Sequence, residues 1–409
     1  MTYNVWNKWD PLKAVLLGDC YGPEFFKDIK NSKIRSALQQ IATETQEDLA
    51  NYEKVLKDFG CKVFRPPLDK NDSIFNYIDP DGKILGAVPR SPLQPRDCQV
   101  VIGNSLFYTG HDHWSFKKVL DNYNPDFVYF KGPLDEKRFL AYKGDNAPGW
   151  PAYDDYLESF LSNKISSDSG VQMEFDNIHW IESRLPVFHI DAPSITVVGK
   201  DIYIDQTLEH QTKDKQFFKQ YYFDKFQNSF DNFRINTVNI GGHNDSCFHT
   251  IKPGAILSLE KIQTYSESFP GWDVCYLPNQ SWDRVSAFNK IKHKVSGKWW
   301  VPGQEDNDEF TNFVESWLTN WVGFVEETVF DVNVLVLDEH HVCVSQPDNK
   351  QVNDFLKKHK MEPVYVPWRH RYFWDGGLHC ITLDLYREGE QQNYFPQRTN
   401  SINDRGFEC

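Results

Sequence analysis

The chain has 409 residues, 40% of them hydrophobic and 15% aromatic, enough apolar material for a large buried core. With 58 Asp and Glu against 44 Lys and Arg, the net charge of −14 excludes the basic surface that nucleic acid or an anionic membrane demands, and leaves a cationic small molecule admissible. Eight cysteines without a CxxC pair read as reduced thiols, no stretch approaches about 18 uninterrupted apolar residues, and the first residues carry no basic patch followed by an apolar run, so a cytoplasmic location is expected.

Taken in chain order, Ile34, Leu38, Ile41, Leu49, Tyr52, Val55, Leu56 and Phe59 recur at helical spacing. Gly60 is placed to cap that helix, and Cys61 to Phe64 then reads as a strand leading into Pro66-Pro67. An apolar run, a tight polar turn and a second apolar run follow four times. The copies are Gln99 to Ile102 with Ser105 to Tyr108, Ile195 to Val198 with Asp201 to Ile204, His249 to Ile251 with Ala255 to Leu257, and Val334 to Leu337 with His341 to Val344. The turns Gly103-Asn104, Gly199-Lys200 and Pro253-Gly254 suit β-hairpins. A helical stretch around Leu259 to Tyr265 precedes a strand over Trp272 to Leu277, and Phe355-Leu356 precede a strand over Pro363 to Val366. Ile381 to Leu385 is a fifth apolar run. Repeated units of hairpin, helix and returning strand predict one cyclic α/β domain over residues 1–409, with elaborations over one rim near 110–185, 206–235 and 280–328.

Reactive side chains stand just ahead of these runs: Asp97, Asp191, His243 with Asp245, Asp331, and Cys380. If rotation relates the units, equivalent positions face one axis and these residues share a pocket. A guanidinium is planar, permanently cationic and slow to react at its central carbon, so carboxylates such as Asp97 and Asp191 are suited to hold it while a thiolate attacks. Cys380 is then the nucleophile and His243 the general acid/base, with Asp245 orienting the imidazole or holding another guanidino nitrogen. Taken singly, a cysteine heading an apolar strand is ordinarily a core thiol and a His-x-Asp pair ordinarily a turn feature. Their shared placement, beside the flexible Gly241-Gly242 and Gly376-Gly377 pairs, is what favours a site.

At these residues the chain resembles the amidinotransferases of the guanidino-modifying, or pentein, superfamily, the glycine-using members in particular. The resemblance is carried by Trp9-Asp10-Pro11-Leu12, Pro95-Arg96-Asp97, His189-Ile190-Asp191-Ala192, Gly242-His243-Asn244-Asp245 with Pro253-Gly254-Ala255-Ile256-Leu257-Ser258, and Gly376-Gly377-Leu378-His379-Cys380-Ile381-Thr382. It implies a five-fold pseudosymmetric α/β propeller of ββαβ-type units, with Cys380, His243 and Asp191 catalytic and with Asp97, Asp245, Asp331, Asn333, Arg369 and His379 lining the substrate. It further implies transfer of the amidino group from a guanidino donor such as arginine to an amine acceptor through a covalent amidino-cysteine, without metal or organic cofactor, and it is compatible with a homodimer.

The departures bear on the substrate. The carboxylate-binding arginine of glycine-using members has only Lys261 near its place, Asp331 replaces a small residue and either favours a more cationic donor or acceptor or pairs with Arg369, and Tyr372-Phe373-Trp374-Asp375 replaces a smaller, more polar run. Two rival readings stay open: a guanidino hydrolase of the same fold, and a guanidino-binding protein without turnover. Metal sites at His111-Asp112-His113 and His340-His341 lack a third ligand at persuasive spacing.

Overall fold

In the computed structural model, residues 2–78, 88–108, 114–123, 130–131, 192–205, 233–238, 240, 243–263, 265–296, 298–323 and 326–398 are described. They form five three-stranded sheets with one pairing pattern, in which two strands run antiparallel and the second pairs in parallel with a third. The first sheet is β1 (Leu12–Leu17), β2 (Lys62–Phe64) and the last strand, β15 (Thr382–Arg387). The next three are β3 (Gln99–Ile102), β4 (Ser105–Tyr108) and β5 (Phe130–Lys131); β6 (Ile195–Val198), β7 (Asp201–Asp205) and β8 (Arg234–Val238); and β9 (Phe248–Lys252), β10 (Ala255–Leu259) and β11 (Asp273–Leu277). The fifth is β12 (Leu335–Val336), β13 (His341–Val344) and β14 (Glu362–Tyr365). Because β15 pairs antiparallel with β1, the C-terminal strand completes the unit that the N-terminus begins.

Local chemistry sets these elements. The helix Ser32–Asp58 starts where the Asn31 side chain accepts from the backbone N–H groups of Lys33 and Ile34. It buries Leu38, Ile41, Leu49, Tyr52 and Leu56 on one face, each worth roughly 1.5–3 kcal/mol against exposure. It ends as Gly60 N–H donates to Lys57 O and Cys61 N–H to Leu56 O, which turns the chain into β2. The hairpin turn at Gly199 has φ of 61° and a Cβ there would fall 2.1 Å from Gln392 O, so glycine is required twice over. One core joins that long helix to Trp299, Phe310, Trp321 and Trp374, and a second packs β9–β11 against β12–β13.

Two expectations need correction. Residues inside the supposed rim segment 110–185 supply a helix, Trp114–Tyr123, and β5, so they complete the unit begun by the first hairpin, and β8 starts inside 206–235. The helical stretch expected around Leu259 to Tyr265 is strand as far as Leu259, and the helix is one turn, Tyr265–Ser268, because register with β9 and β11 takes Ala255–Leu259 into the sheet. Most of 110–185 and 206–235 lies outside the described residues. Among the described residues no helix is long and apolar enough to cross a membrane.

Candidate active site

The loop carrying Cys380 is clamped before it reaches β15. Asp375 adopts a left-handed φ of 52°, and the carbonyls of Trp374 and Asp375 accept from Gln94 Nε2 at 2.8 and 2.6 Å. A Cβ at Gly377 would lie 2.6 Å from Asn333, so only glycine lets that amide reach the loop. Asn333 Oδ1 accepts from the backbone N–H groups of His379 at 2.9 Å and Cys380 at 3.1 Å, while its Nδ2 donates to Cys380 Sγ at 2.9 Å. One amide thus fixes both backbone and sulfur. On the far side, Arg96 Nε and Thr382 Oγ1 both donate to His379 O.

Cys380 is 1% exposed, but its sulfur faces polar atoms as well as packing. Its thiol donates to Asp245 Oδ2 at 3.5 Å, an oxygen that also accepts from His379 Nδ1 at 2.7 Å. Burial pushes the thiol well above its ordinary pKa, and the charges of Asp245, Glu327 and Asp97 push it further. Burial raises Asp245 as well, against His243, Arg96 and Lys8, which pull it down. Burial drives His379 well below its usual range, helped by Arg96 and Lys8, so its ring is neutral and Nδ1 carries the proton given to Asp245.

His243 heads the one-turn helix Asn244–Cys247, which is anchored by Asn244 Nδ2 donating to Thr196 Oγ1 and Tyr203 O. Asp245 and Glu327 both feel His243 electrostatically. Asp97 closes a short turn, Pro95–Asp97, with Arg90 4.0 Å away. Hydrogen bonds therefore bring Cys380, His379, Asn333 and Asp245 together, while His243 acts on Asp245 and Asp97 acts on Cys380 electrostatically. Asp191 lies outside the described residues, as do Gly241 and Gly242.

Two other candidates have neighbours of a different kind. Asp331 accepts from Gln346 Nε2 at 2.9 Å and feels Arg371, so the pairing with Arg369 is not the one formed. Arg369 instead grips the long helix, donating to Asp48 Oδ1 at 2.9 Å, Glu47 Oε2 at 2.8 Å and Glu44 O at 2.7 Å. Lys261 Nζ donates to Ile240 O. His341 is tied to Asp338 in a hairpin turn, and the other histidine pair, His111 and His113, lies outside the described residues. Among the described residues no three His, Cys, Asp or Glu side chains are placed to hold a metal ion.

Sequence reasoning missed Glu327, which sits in the aromatic-rich segment 280–328 and follows no motif. It is 5% exposed, accepts from Ser246 Oγ, and has a pKa pushed up to about 8 by burial and by Asp375, against the pull of His243. It also missed Lys8 and Arg96, whose buried charges act on Asp245 and His379. Arg96 had a signal, since it is the middle residue of Pro95-Arg96-Asp97.

No family model matches the chain. An L-arginine:L-lysine amidinotransferase of Pseudomonas savastanoi pv. phaseolicola is 21% identical over 422 aligned positions, covering 95% of both chains. The mitochondrial glycine amidinotransferase of Gallus gallus is 22% identical, over 95% of this chain and 84% of its own. Among solved structures, an amidinotransferase of the saxitoxin biosynthetic pathway from Microseira wollei superposes with a TM-score of 0.57 at 19% identity, covering 96% of this chain and 99% of its own. An inosamine-phosphate amidinotransferase from Streptomyces griseus gives 0.50 at 18% identity, with the same coverage. In sequence along nearly its whole length, and in its α/β fold, the chain resembles the amidinotransferases of the pentein superfamily.

Proposed function

We propose that the chain transfers an amidino group from a guanidino donor, arginine in the first instance, to an amine through Cys380, within a single domain whose five sheets stand around a common axis as a propeller. The observation that supports this most is the single sulfur held by Asn333 and facing the carboxylates of Asp245, Glu327 and Asp97. Acids that hold a thiol protonated in the free protein are the acids a guanidinium neutralises. A bound donor gripped by Asp97, Asp245 and Asp191 would therefore lower the thiol's pKa as it places its central carbon beside the sulfur.

In the first half-reaction His243 takes the thiol proton, the C–S bond forms, and the same proton passes to the leaving amine as its C–N bond breaks. In the second, a neutral acceptor amine attacks the amidino carbon and His243 takes its proton. The C–S bond then breaks and that proton returns to sulfur, which closes the cycle without cofactor. Asn333 and His379 shape the wall around these steps. Asp375, which Glu327 feels electrostatically, favours an acceptor bearing a second positive charge. Lysine, the substrate paired with arginine in the name of one relative, has that chemistry.

Mass spectrometry of protein mixed with arginine, with and without a panel of amines including lysine and glycine, tests the reading. The expected result is an amidino adduct on the peptide carrying Cys380 and catalytic amounts of ornithine only when an amine is added. Ornithine with urea, or citrulline with ammonia, in the absence of amine would replace transfer by hydrolysis. Unchanged guanidino product from Cys380→Ser would remove the nucleophile assignment.

A further inference from the structure

Beside Asp245 and His379 lies a cavity of about 10 Å³, room for one water molecule. Lys8, Arg96, Asp245, His249, Thr250 and His379 are among the residues that line it. Four buried polar atoms of that lining, Asp245 Oδ1, His249 Nε2, Thr250 Oγ1 and His379 Nε2, have no hydrogen-bond partner among the described residues, a state that buried polar groups seldom keep. The two imidazoles meet edge to face with centroids 4.6 Å apart, and burial keeps both neutral. Since His379 Nδ1 gives its proton to Asp245, its Nε2 is a bare acceptor, as is Asp245 Oδ1. Such acceptors call for a donor, and Lys8, 6% exposed, brings an ammonium to the same cavity.

The groups facing Lys8 are mixed in sign. Arg96 and Arg387 repel it, Asp384 and Asp245 attract it, and the neutral rings of His249 and His379 flank it. Burial and Arg96 bring its pKa down to about 7, so the ammonium persists over the acidic range in which a buried carboxylate is at risk of protonation.

We propose that Lys8 is a positioning residue whose ammonium, through one water seated in this cavity, donates toward Asp245 Oδ1 and His379 Nε2 and so keeps Asp245 ionised for the donor guanidinium. The role rests on the amidinotransferase reading, in which Asp245 grips that guanidinium. The sign follows directly: without the ammonium, burial of Asp245 is less opposed and its carboxylate is lost at a higher pH. Once Lys8 has itself deprotonated, wild type and a neutral variant should behave alike.

The experiment is the pH profile of kcat/KM for arginine in wild type, Lys8→Met and Thr250→Val, with Lys8→Gln as a second neutral variant should Lys8→Met fail to fold. The acid limb of Lys8→Met is expected to move up by about one pH unit, a tenfold loss along that limb, and to meet wild type once the pH is well above about 7, where Lys8 has lost its charge. Thr250→Val, which removes a partner of the water but no charge, should shift it less in the same direction. A loss constant across pH, or superimposed profiles, overturns the proposal. A urea-unfolding double-mutant cycle of Lys8→Met with Asp245→Asn needs no turnover. Coupling that is present near pH 6 and gone near pH 9 supports the linkage even in a protein that transfers nothing, in which case the functional reading alone fails; an additive cycle at both pH values overturns it.

Discussion

Asp384 and Asp245 are both enclosed beside the segment that carries Cys380, at 1% and 4% exposure, yet they are held in opposite directions. Burial pushes each carboxyl up. At Asp384 the guanidiniums of Arg387 and Arg96, in contact at 2.9 and 3.0 Å and joined by Lys8, outweigh burial and hold the acid far below the usual carboxylate range. Among the described residues Asp245 accepts only from an imidazole and a thiol, and burial wins. The same contrast recurs farther off, where Asp201 takes hydrogen bonds from both Arg234 and Arg398. Asp384 and Asp201 serve the fold, and for each this chain supplies its own guanidiniums. Around Cys380, neither Asp245 nor Glu327 accepts from one among the described residues, and that is the place left for a guanidinium from outside.

The sharpest way to break this comparison is to neutralise each acid in turn. Asp384→Asn leaves Arg96 and Arg387 as buried cations without their counter-charge and should cost about 3–5 kcal/mol of stability, read as a lower midpoint of urea unfolding. Asp245→Asn keeps an oxygen for His379 and removes a charge that burial already disfavours, so stability should change by less than about 1 kcal/mol. Its kcat/KM for arginine should fall on the order of a hundredfold, the scale of one lost electrostatic contact to the reacting group. Equal losses of stability in the two variants would erase the distinction.

Glu327 sharpens the comparison through pH. Its carboxyl has an ordinary value of 4.5 and is pushed up to about 8 in the fold, so the folded state binds the extra proton between those limits. The stability it contributes is complete below about pH 4.5 and is lost as pH rises through about 8, at up to about 1.4 kcal/mol per unit. Glu327→Gln should therefore show a flatter stability curve over that window and gain on wild type as pH rises. Parallel curves would mean that Glu327 is ionised in the fold and that the pull of His243 and Ser246 outweighs burial and Asp375.

Much of this was legible in the sequence because strands and turns leave short-range marks. The hairpins of β3–β4 and β6–β7 match their expected bounds to within a residue, since alternating apolar runs around a Gly turn admit few other structures. The long helix was equally plain, having nine buried positions on one face. Trp114–Tyr123 and the two-residue β5 fall where the sequence predicts rim elaboration, because so short a helix, followed by so short a strand, carries almost no periodicity of its own. Lys8 and Glu327 lie far from Asp245 along the chain and act on it only through the fold, and no local pattern announces either buried charge.

Arg369 marks the smallest expected effect and tests the comparison from the other side. The family resemblance makes it a substrate-binding candidate, whereas its observed partners are Asp48, Glu47 and a helix carbonyl. Its backbone N–H also donates to Asp48 Oδ2 at 2.8 Å, so the buried carboxylate keeps one partner when the side chain is removed. A guanidinium already bound to three acceptors of the fold belongs with Arg387 and Arg234, not with the cage around Cys380. Arg369→Gln should then cost roughly 1.5 kcal/mol in urea unfolding and leave kcat/KM for arginine within about twofold of wild type. A tenfold or greater loss of kcat/KM at unchanged stability would move Arg369 from the scaffold to the substrate, and would show that a guanidinium supplied by this chain can serve the reaction as well as the fold.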